Sequence, residues 1–219
     1  GYNMIKRLFD LVLSSIGLVL ISPLLIIIAV WIKLDDPGPV FYRGERIGRF
    51  GQPFRIFKFR SMVVDADRIG GPSTSQEDPR VTRSGRFIRR YKLDELPQLI
   101  NVFLGQMSFV GPRPEVRKYV EQYTNDERII LEVRPGITDW ASIWNADEGA
   151  VLSSYSDPDW AYEHIIRPTK LKLQLDYVRH HDLWIDIKLI VYTLWRIVKP
   201  SFYPKELSGY PRLMSTSEM

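Results

Sequence analysis

The chain contains no cysteine and only three histidines among its 219 residues. Disulfides, thiolate nucleophiles and cysteine-ligated zinc are therefore excluded. The histidines are His164, His180 and His181, and they are too few and too scattered along the sequence for a metal site. We expect them to have packing or surface roles. The lack of cysteine is compatible with a cytoplasmic environment but does not establish one.

Charged residues are absent from one long stretch, residues 11–32, which contains 22 uncharged positions. At about 1.5 Å per residue, a straight helix of this length covers about 33 Å, close to the thickness of one hydrocarbon core. A secretory signal is one alternative, but the apolar run is long and no small-residue cleavage site follows it. A buried helix of a soluble protein is another. We favour a membrane segment.

Ser22 and Pro23 stand near the centre of this stretch. Proline removes a backbone donor and clashes with the preceding turn, so we expect the helix to bend or break there. The segment would then either cross the bilayer with a kink or enter one leaflet and turn back. Lys6 and Arg7 precede it and Lys33 follows it. Cations on both sides favour re-entry, since both flanks would then be cytoplasmic.

The rest of the chain is polar and modestly basic. The net charge of +4 suits an anionic partner such as a phosphate, a nucleotide, a lipid headgroup or a nucleic acid. The length fits one domain, or one domain with an appendage. Residues 38–62 place aromatic and branched side chains around glycines and predict a β-hairpin or two short strands. Residues 65–80 have the composition of a loop.

A run of arginines follows this loop. Arg83, Arg86 and Arg89 or Arg90 recur at helical spacing and share a face opposite Phe87. A solvated basic face is the plainest interpretation. Contact with nucleic acid is disfavoured, because no fold signature of a nucleic-acid-binding protein accompanies the arginines and the chain has a lipid segment.

Two adjacent carboxylates, Asp94 and Glu95, occur in the segment KLDELPQLINVFLGQMSFVGPRP, residues 92–114. We call them the carboxylate pair. Apolar residues at helical intervals predict a helix that starts close to Asp94, with Pro97 in its first turn. In one interpretation Asp94 is the N-cap and Glu95 complements the helix dipole. In the other, the helix terminus and the arginines bind phosphate, and a carboxylate attacks a phosphoryl group. Spacing alone does not decide between them.

Four segments occur in order after a short basic start: SPLLIIIAVWIKL, FRIFKFRSM, GRFIRRYKLDELPQLINVFLGQMSFVGPRP and VRPGIT. Together they resemble the bacterial sugar transferases, the monotopic phosphoglycosyl transferases, from about residue 4 to residue 200. The third segment, residues 85–114, is the longest and most specific part of the resemblance.

The resemblance implies transfer of a sugar-1-phosphate from a UDP-sugar to polyprenyl (undecaprenyl) phosphate, with release of UMP. Asp94 is then the nucleophile, forms a covalent phosphosugar intermediate and binds Mg²⁺, while Glu95 assists or orients. Candidate phosphate or nucleotide contacts share a basic side chain: Lys58, Arg89, Arg113 and Arg134. Ser22 and Pro23 would form a re-entrant helix hairpin rather than a span.

The resemblance also implies an α+β fold that is mainly helical, with the re-entrant membrane helix hairpin, a short β-hairpin and amphipathic interfacial helices. We expect a membrane anchor over residues 1–36, a catalytic domain over residues 37–200 on the cytoplasmic face of the bacterial inner membrane, and a C-terminal tail over residues 201–219. The chain is expected to be the minimal catalytic form. Bacterial membrane lipids are expected partners, a homodimer stays open, and nucleic acid is not expected. For the amphipathic helix of residues 183–198, core packing and a headgroup position both stay open.

One segment departs from the family's pattern, within residues 139–151. Asp139 stands where many relatives have glycine, and Asp147 and Glu148 add charge. If this segment contacts the sugar, the identity of the sugar cannot be taken from relatives; a surface loop that has drifted is the plainer explanation. Asp176 is expected to stabilise the fold by pairing with an arginine, which we favour over a catalytic role. The alternative function is a non-catalytic, membrane-tethered module that binds anionic lipid through its arginines, for which the carboxylate pair would have no use.

Overall fold

The structure is a computed structural model that describes residues 1–70 and 78–213. It is mainly helical, as predicted. The α-helices are α1 (Tyr2–Asp35), α2 (Ala66–Ile69), α3 (Arg83–Arg90), α4 (Gln98–Phe103), α5 (Arg117–Val120), α6 (Trp140–Trp144), α7 (Glu148–Ser153), α8 (Pro158–Ala161), α9 (Arg167–His180) and α10 (Leu183–Val198). A π-helical turn, Tyr162–Ile166, joins α8 to α9.

Within the described residues, the strands are short and form three separate pairs. They are β1 (Phe41–Tyr42), β2 (Glu45–Ile47), β3 (Pro53–Arg55), β4 (Lys58–Phe59), β5 (Ser108–Val110) and β6 (Gly136–Thr138). β1 pairs with β4 and β2 with β3, both antiparallel, whereas β5 and β6 are parallel. The predicted hairpin region therefore contains two nested antiparallel pairs. Of the predicted loop, residues 71–77 lie outside the described residues, and the segment before them forms α2.

α1 runs through Ser22 and Pro23 as one continuous helix, so the helix break predicted there is not confirmed. Because Pro23 has no N–H, the carbonyl of Val19 lacks its usual helical partner. The Ser22 hydroxyl donates a hydrogen bond to that carbonyl at 2.8 Å. The serine thus replaces the donor that the proline removes, and the helix can continue.

The N-terminal end of α1 is bound to the folded body through polar side chains. Tyr2 donates to Asp186 of α10 at 2.7 Å, and Lys6 forms an ion pair with the same buried carboxylate. Asp10 is also buried and accepts hydrogen bonds from Ser108 Oγ and the Phe109 N–H, both at 3.1 Å. These contacts connect the first turns of α1 to α10 and β5.

The C-terminal end of α1 packs on a different part of the same body. Ile28 and Ile32 are buried against Phe59 of β4 and Ile88 of α3. Asp35 accepts a hydrogen bond of 2.7 Å from a backbone N–H in the first turn of α3. Both ends of the helix are therefore held by one folded unit.

The outer face of α1 is apolar and exposed. Val19 and Leu20 are 74% and 73% exposed, although both lie at the centre of the helix. α1 is long and apolar enough to cross a membrane, with a mean hydropathy of 2.7 in its most apolar window. A second exposed apolar stripe lies on α10 and consists of Trp184, Ile187, Val191, Leu194, Trp195 and Val198. The opposite face of α10 is buried at Asp186 and Leu189, so this helix both packs in the core and presents apolar surface.

The main core lies between α6, α9 and α10. Trp144, Tyr177 and Leu189 are among its buried residues, and Leu207 joins them from the segment that follows α10. The Trp144 indole also donates to the Pro211 carbonyl at 2.8 Å. Residues up to 213 are thus packed on the helical body, within the segment predicted as a C-terminal tail.

Candidate active site

The carboxylate pair lies in a short turn that follows a residue with a left-handed backbone conformation. Lys92 has a positive φ of 55°, and residues Leu93–Glu95 form a single 3₁₀ turn after it. Asp94 is only 5% exposed. α4 begins later, at Gln98, with Pro97 at its N-cap and no side-chain capping hydrogen bond. The interpretation of Asp94 as the N-cap of this helix is therefore wrong, because a separate turn holds it.

Lys58 lies beside both carboxylates. Its Nζ is 3.2 Å from Asp94 Oδ2 and 3.6 Å from Glu95 Oε1. Lys58 is the first residue of β4, and its neighbour Phe59 is buried beneath α1. The strand therefore presents the ammonium group to the pair; its expected contact with a substrate phosphate stays a prediction.

Arg113 forms a bidentate ion pair with Glu95. Its Nη1 is 3.2 Å from Oε2, and its Nη2 contacts Oε1. Burial by itself would raise the pKa of Glu95, but the charges of Arg113 and Lys58 outweigh it and hold that pKa well below the ordinary value. The Glu95 charge in turn raises the pKa of Arg113. Glu95 is therefore the carboxylate that is bound and oriented, while Asp94 has only the single contact with Lys58 among these basic groups.

Arg89 has a donor that no described group uses. Its Nη1 is buried and lacks a hydrogen-bond partner within the described residues. Burial lowers the pKa of Arg89, whereas the nearby charge of Asp94 opposes that effect. Its neighbours Arg83, Arg86 and Arg90 are exposed. The arginine run is thus a solvated face at three positions, and Arg89 is the member directed toward the carboxylate pair.

α3 holds Arg89 by close packing at its first turn. The Thr82 side chain accepts a hydrogen bond from the Gly85 N–H at 3.0 Å, which caps the helix. Gly85 lies so close to the Ser61 carbonyl that a Cβ at this position would collide with it. Ile88 is fully buried on the next turn. α3 therefore approaches the segment after β4, and Arg89 and Lys58 come to the same site.

Arg134 lies elsewhere. Its Nε donates to the Gly105 carbonyl at 3.0 Å, and its charged neighbours are Arg49, Arg7 and Asp10. No described contact joins it to the carboxylate pair. Of the predicted basic contacts, Lys58, Arg89 and Arg113 come together and Arg134 does not.

Asn101 is a site residue that the sequence reasoning missed. It is fully buried on α4. Its Oδ1 accepts the Phe57 N–H at 2.7 Å, and its Nδ2 donates to the Arg55 carbonyl at 2.9 Å and to Gln106 Oε1 at 2.8 Å. The amide thus pairs with the backbone just before Lys58, as a neighbouring strand would. A polar residue inside an apolar helical stripe was the available signal.

Asp139, the residue at which the sequence departs from the family's pattern, is buried rather than part of a surface loop. Its Oδ1 accepts the Ser142 N–H at 2.7 Å and so caps α6. Its Oδ2 accepts the backbone N–H of Arg113 at 3.3 Å and the Gln174 side chain at 3.2 Å. The explanation as a drifted surface loop is wrong at this position, since the carboxylate joins the Arg113 segment to α6 and α9.

The histidines and Asp176 make contacts that do not involve the carboxylate pair. Asp176 is exposed and lies 3.0 Å from His180 Nδ1, rather than pairing with an arginine as expected. His164 stacks on Trp160. His181 stacks on Tyr177.

The donor set allows a limited form of metal binding. Within the described ranges 1–70 and 78–213, no group of three or more histidine, aspartate or glutamate side chains could enclose a metal ion. Mg²⁺, however, is commonly bound by one or two carboxylates together with substrate phosphate oxygens and water. Asp94 and Glu95 supply that smaller set, so the residues present fit Mg²⁺ only with a phosphate substrate beside it.

The fold and the site define a particular class of protein: a small helical domain with a long apolar helix on its surface and a carboxylate pair among three basic side chains. The chain belongs to the bacterial sugar transferase family, which it matches over residues 1–200.

Three relatives illustrate this membership. The chain is 41% identical over 203 residues to the UDP-glucose:undecaprenyl-phosphate glucose-1-phosphate transferase of Escherichia coli (strain K12), covering 90% of this chain and 41% of that protein. It is 37% identical over 202 residues to the UDP-N-acetylgalactosamine-undecaprenyl-phosphate N-acetylgalactosaminephosphotransferase of Aeromonas hydrophila, covering 90% and 44%. It is 34% identical over 207 residues to the exopolysaccharide production protein ExoY of Rhizobium meliloti (strain 1021), covering 88% and 84%. The chain thus spans about two fifths of the length of the first two relatives.

Proposed function

We propose that this protein transfers a sugar-1-phosphate from a UDP-sugar to undecaprenyl phosphate, releasing UMP and producing a polyprenyl diphosphate sugar. The observation that supports this most is the carboxylate pair, buried at Asp94 and surrounded by Lys58, Arg89 and Arg113. A site for anionic lipid alone would have no use for two carboxylates among its cations, since they repel phosphate.

Asp94 acts as the nucleophile in a two-step exchange. A carboxylate oxygen of Asp94 attacks the phosphorus that bears the sugar, the bond to the bridging oxygen breaks, and UMP leaves with the bonding electrons. An oxygen of the lipid phosphate then attacks the same phosphorus, and Asp94 leaves as a free carboxylate. Asp94 suits this role because, within the described residues, its one ion pair is with Lys58, whereas Arg113 holds Glu95 in a bidentate ion pair. Glu95 orients Arg113, which contacts the substrate phosphates.

The charge balance of the site supports a requirement for Mg²⁺. Four cations act on or beside the carboxylate pair: Lys58, Arg89, Lys92 and Arg113. Asp139 and Glu148 also act on Arg113, and Asp147 acts on Lys92, so the cations are already offset before the diphosphate of a UDP-sugar adds two more negative charges. Mg²⁺ bound by Asp94 and the phosphate oxygens would supply the missing neutralisation. Meanwhile the unused Arg89 Nη1 offers a donor to an incoming phosphate oxygen. Full turnover in excess chelator would contradict the metal requirement.

We further propose that α1 enters one leaflet of the membrane without crossing it. Its two ends are held by the same folded body, through Asp186 at one end and through Phe59 and Ile88 at the other. If α1 crossed the bilayer, one of these two sets of contacts would have to break, and buried charge would be exposed. The exposed outer face of α1 and the Trp184–Trp195 side of α10 would lie in the lipid. Because nucleotide sugars are cytoplasmic metabolites, the body would face the cytoplasm at the inner membrane.

The experiment that tests the reaction omits the acceptor. Enzyme given a UDP-sugar and Mg²⁺ alone should release UMP in an amount no greater than the enzyme, and should retain a sugar-phosphate adduct that intact mass and peptide mapping assign to Asp94. Asp94→Asn should abolish both signals, because an amide is a poor nucleophile. Glu95→Gln should slow adduct formation by roughly 10²–10⁴-fold without moving the site of attachment. UMP release that begins only after undecaprenyl phosphate is added would instead indicate direct attack by the lipid. A panel of UDP-sugars in the same assay would identify the sugar.

A further inference from the structure

Three arginines outside the proposed active site come together where the first turns of α1 meet the connection between α4 and β5. We call Arg7, Arg49 and Arg134 the rim cluster. Arg134 donates to the Gly105 carbonyl, and the Arg7 guanidinium is so near the same residue that a Cβ on Gly105 would be 3.2 Å from it. Arg49 and Arg134 border one small cavity. Burial and the charges of Arg49 and Arg7 lower the pKa of Arg134.

The rim cluster is only weakly compensated: the charge of the buried Asp10 partly opposes the lowering of the Arg134 pKa. Within the part of the chain that the structure describes, none of its three arginines forms an ion pair with a carboxylate. The Arg49 Nε–H donates to the Glu132 carbonyl at 2.8 Å, and the Arg7 guanidinium donates to two backbone carbonyls at the end of α4. Since each guanidinium has five N–H donors, several remain for an anion.

The position of the rim cluster indicates which anion. Leu8, beside Arg7 on α1, is 63% exposed, and Phe103 and Leu104, just before Gly105, are 42% and 56% exposed. Leu8 belongs to the exposed face of α1, and Phe103 and Leu104 lie at the end of α4, which packs on α1. If that face lies in a leaflet, the three guanidinium groups stand at its edge, at the depth of the lipid phosphates.

We propose that the rim cluster binds the phosphate of an anionic phospholipid headgroup, with the acyl chains beside Leu8, Phe103 and Leu104. This inference rests on the proposed membrane placement of α1. The lipid would neutralise the three like charges and would hold the N-terminal part of α1 at the membrane surface. It would thereby set how deeply the folded body, which contains the carboxylate pair, lies in the membrane surface.

The test measures lipid binding rather than turnover. The full chain in non-ionic detergent is titrated with a short-chain phosphatidylglycerol, with phosphatidylcholine of the same chain length, and with inorganic phosphate. We expect saturable binding of phosphatidylglycerol only. Because a surface arginine contributes about a factor of five to anionic-lipid binding, Arg49→Gln should weaken it about 5-fold and Arg49→Gln/Arg134→Gln about 30-fold. Lys172→Gln/Lys205→Gln is the control, since it removes two exposed charges outside the rim cluster.

Several outcomes would overturn the proposal. Equal binding of both lipids would show that the charge is not recognised. Inorganic phosphate that binds as tightly and displaces the lipid would indicate a site for a soluble anion. Unchanged binding by Arg49→Gln, whose partly exposed side chain makes one backbone hydrogen bond, would exclude the rim cluster even if the double variant folds poorly. A protein that binds phosphatidylglycerol through these arginines but releases no UMP would refute the proposed reaction alone. UMP release without lipid preference would refute the lipid site alone.

Discussion

Replacing Asn101 by leucine keeps the approximate volume of the side chain but removes three hydrogen bonds. The loss leaves the Phe57 N–H and the Arg55 carbonyl without the partner that holds them against α4. A buried polar group without a partner costs about 1–3 kcal/mol. Partial access of water to residues 55–57 would reduce the sum, so we expect a loss of about 2–4 kcal/mol in the free energy of unfolding.

The catalytic consequence should exceed the loss of folded protein. Residues 55–57 lead directly into Lys58, which lies 3.2 Å from Asp94. A displacement of about 1 Å at a positioned catalytic group can reduce turnover about 10²-fold. Thermal unfolding in detergent should show a Tm lower by about 10 °C, because 1 kcal/mol corresponds to about 2–4 °C in a chain of this size. The kcat of UMP release, measured well below that Tm and normalised to folded protein, should be lower than that of the wild type.

Two variants sharpen this test. Asn101→Asp still accepts the Phe57 N–H but donates to neither Arg55 nor Gln106, so it should be impaired as well. Asn125→Leu makes the same chemical change at an exposed position and should leave both Tm and kcat unchanged. If Asn101→Leu unfolds earlier but turns over normally per folded molecule, Asn101 supports the fold and does not position Lys58. An unchanged Tm would refute the whole argument.

Three further predictions concern the ion pairs and the membrane helix. Arg113→Ala should lower kcat/KM for UMP release by an amount equivalent to roughly 2–4 kcal/mol of transition-state stabilisation. Arg113→Lys should restore little of this loss, because an ammonium cannot reproduce the bidentate contact with Glu95. Full activity of the lysine variant would contradict this prediction. Because the pKa of Glu95 is held below its ordinary value, its ion pairs stabilise the fold fully above the unfolded pKa of about 4.3, and this stabilisation is lost as the pH falls through the lower folded pKa. The Tm difference between wild type and Glu95→Gln should therefore stay constant from pH 7 to about pH 5 and shrink only below that; a difference that disappears near pH 6 would refute the assignment. Since the chain has no cysteine, Asn3→Cys and Gln52→Cys each introduce a single site for labelling. An impermeant maleimide added to intact cells should label neither variant. Labelling of Asn3→Cys alone would show instead that α1 crosses the membrane.

Much of the site was predictable because its signals are local in sequence. The adjacent carboxylates and the arginines before them stand in one short segment, and the family's pattern surrounds them. The apolar run of α1 was equally plain, since hydropathy depends only on composition over about 20 residues. The expected break at Pro23 was not confirmed: proline removes one backbone donor, but the neighbouring Ser22 hydroxyl replaces it.

The amino-acid sequence by itself determined the apolar helix, the carboxylate pair and the basic residues available to it, because each follows from residue type and near-neighbour spacing. Only the tertiary structure decided which basic residues meet the pair: Arg113 reaches Glu95 across 18 positions, while Arg134 turns toward Gly105. It also decided that Asn101 orients the segment before Lys58, 43 positions away along the chain. The physical reason is that such contacts depend on how backbone segments pack against one another, and spacing along one segment contains no information on the distance to another.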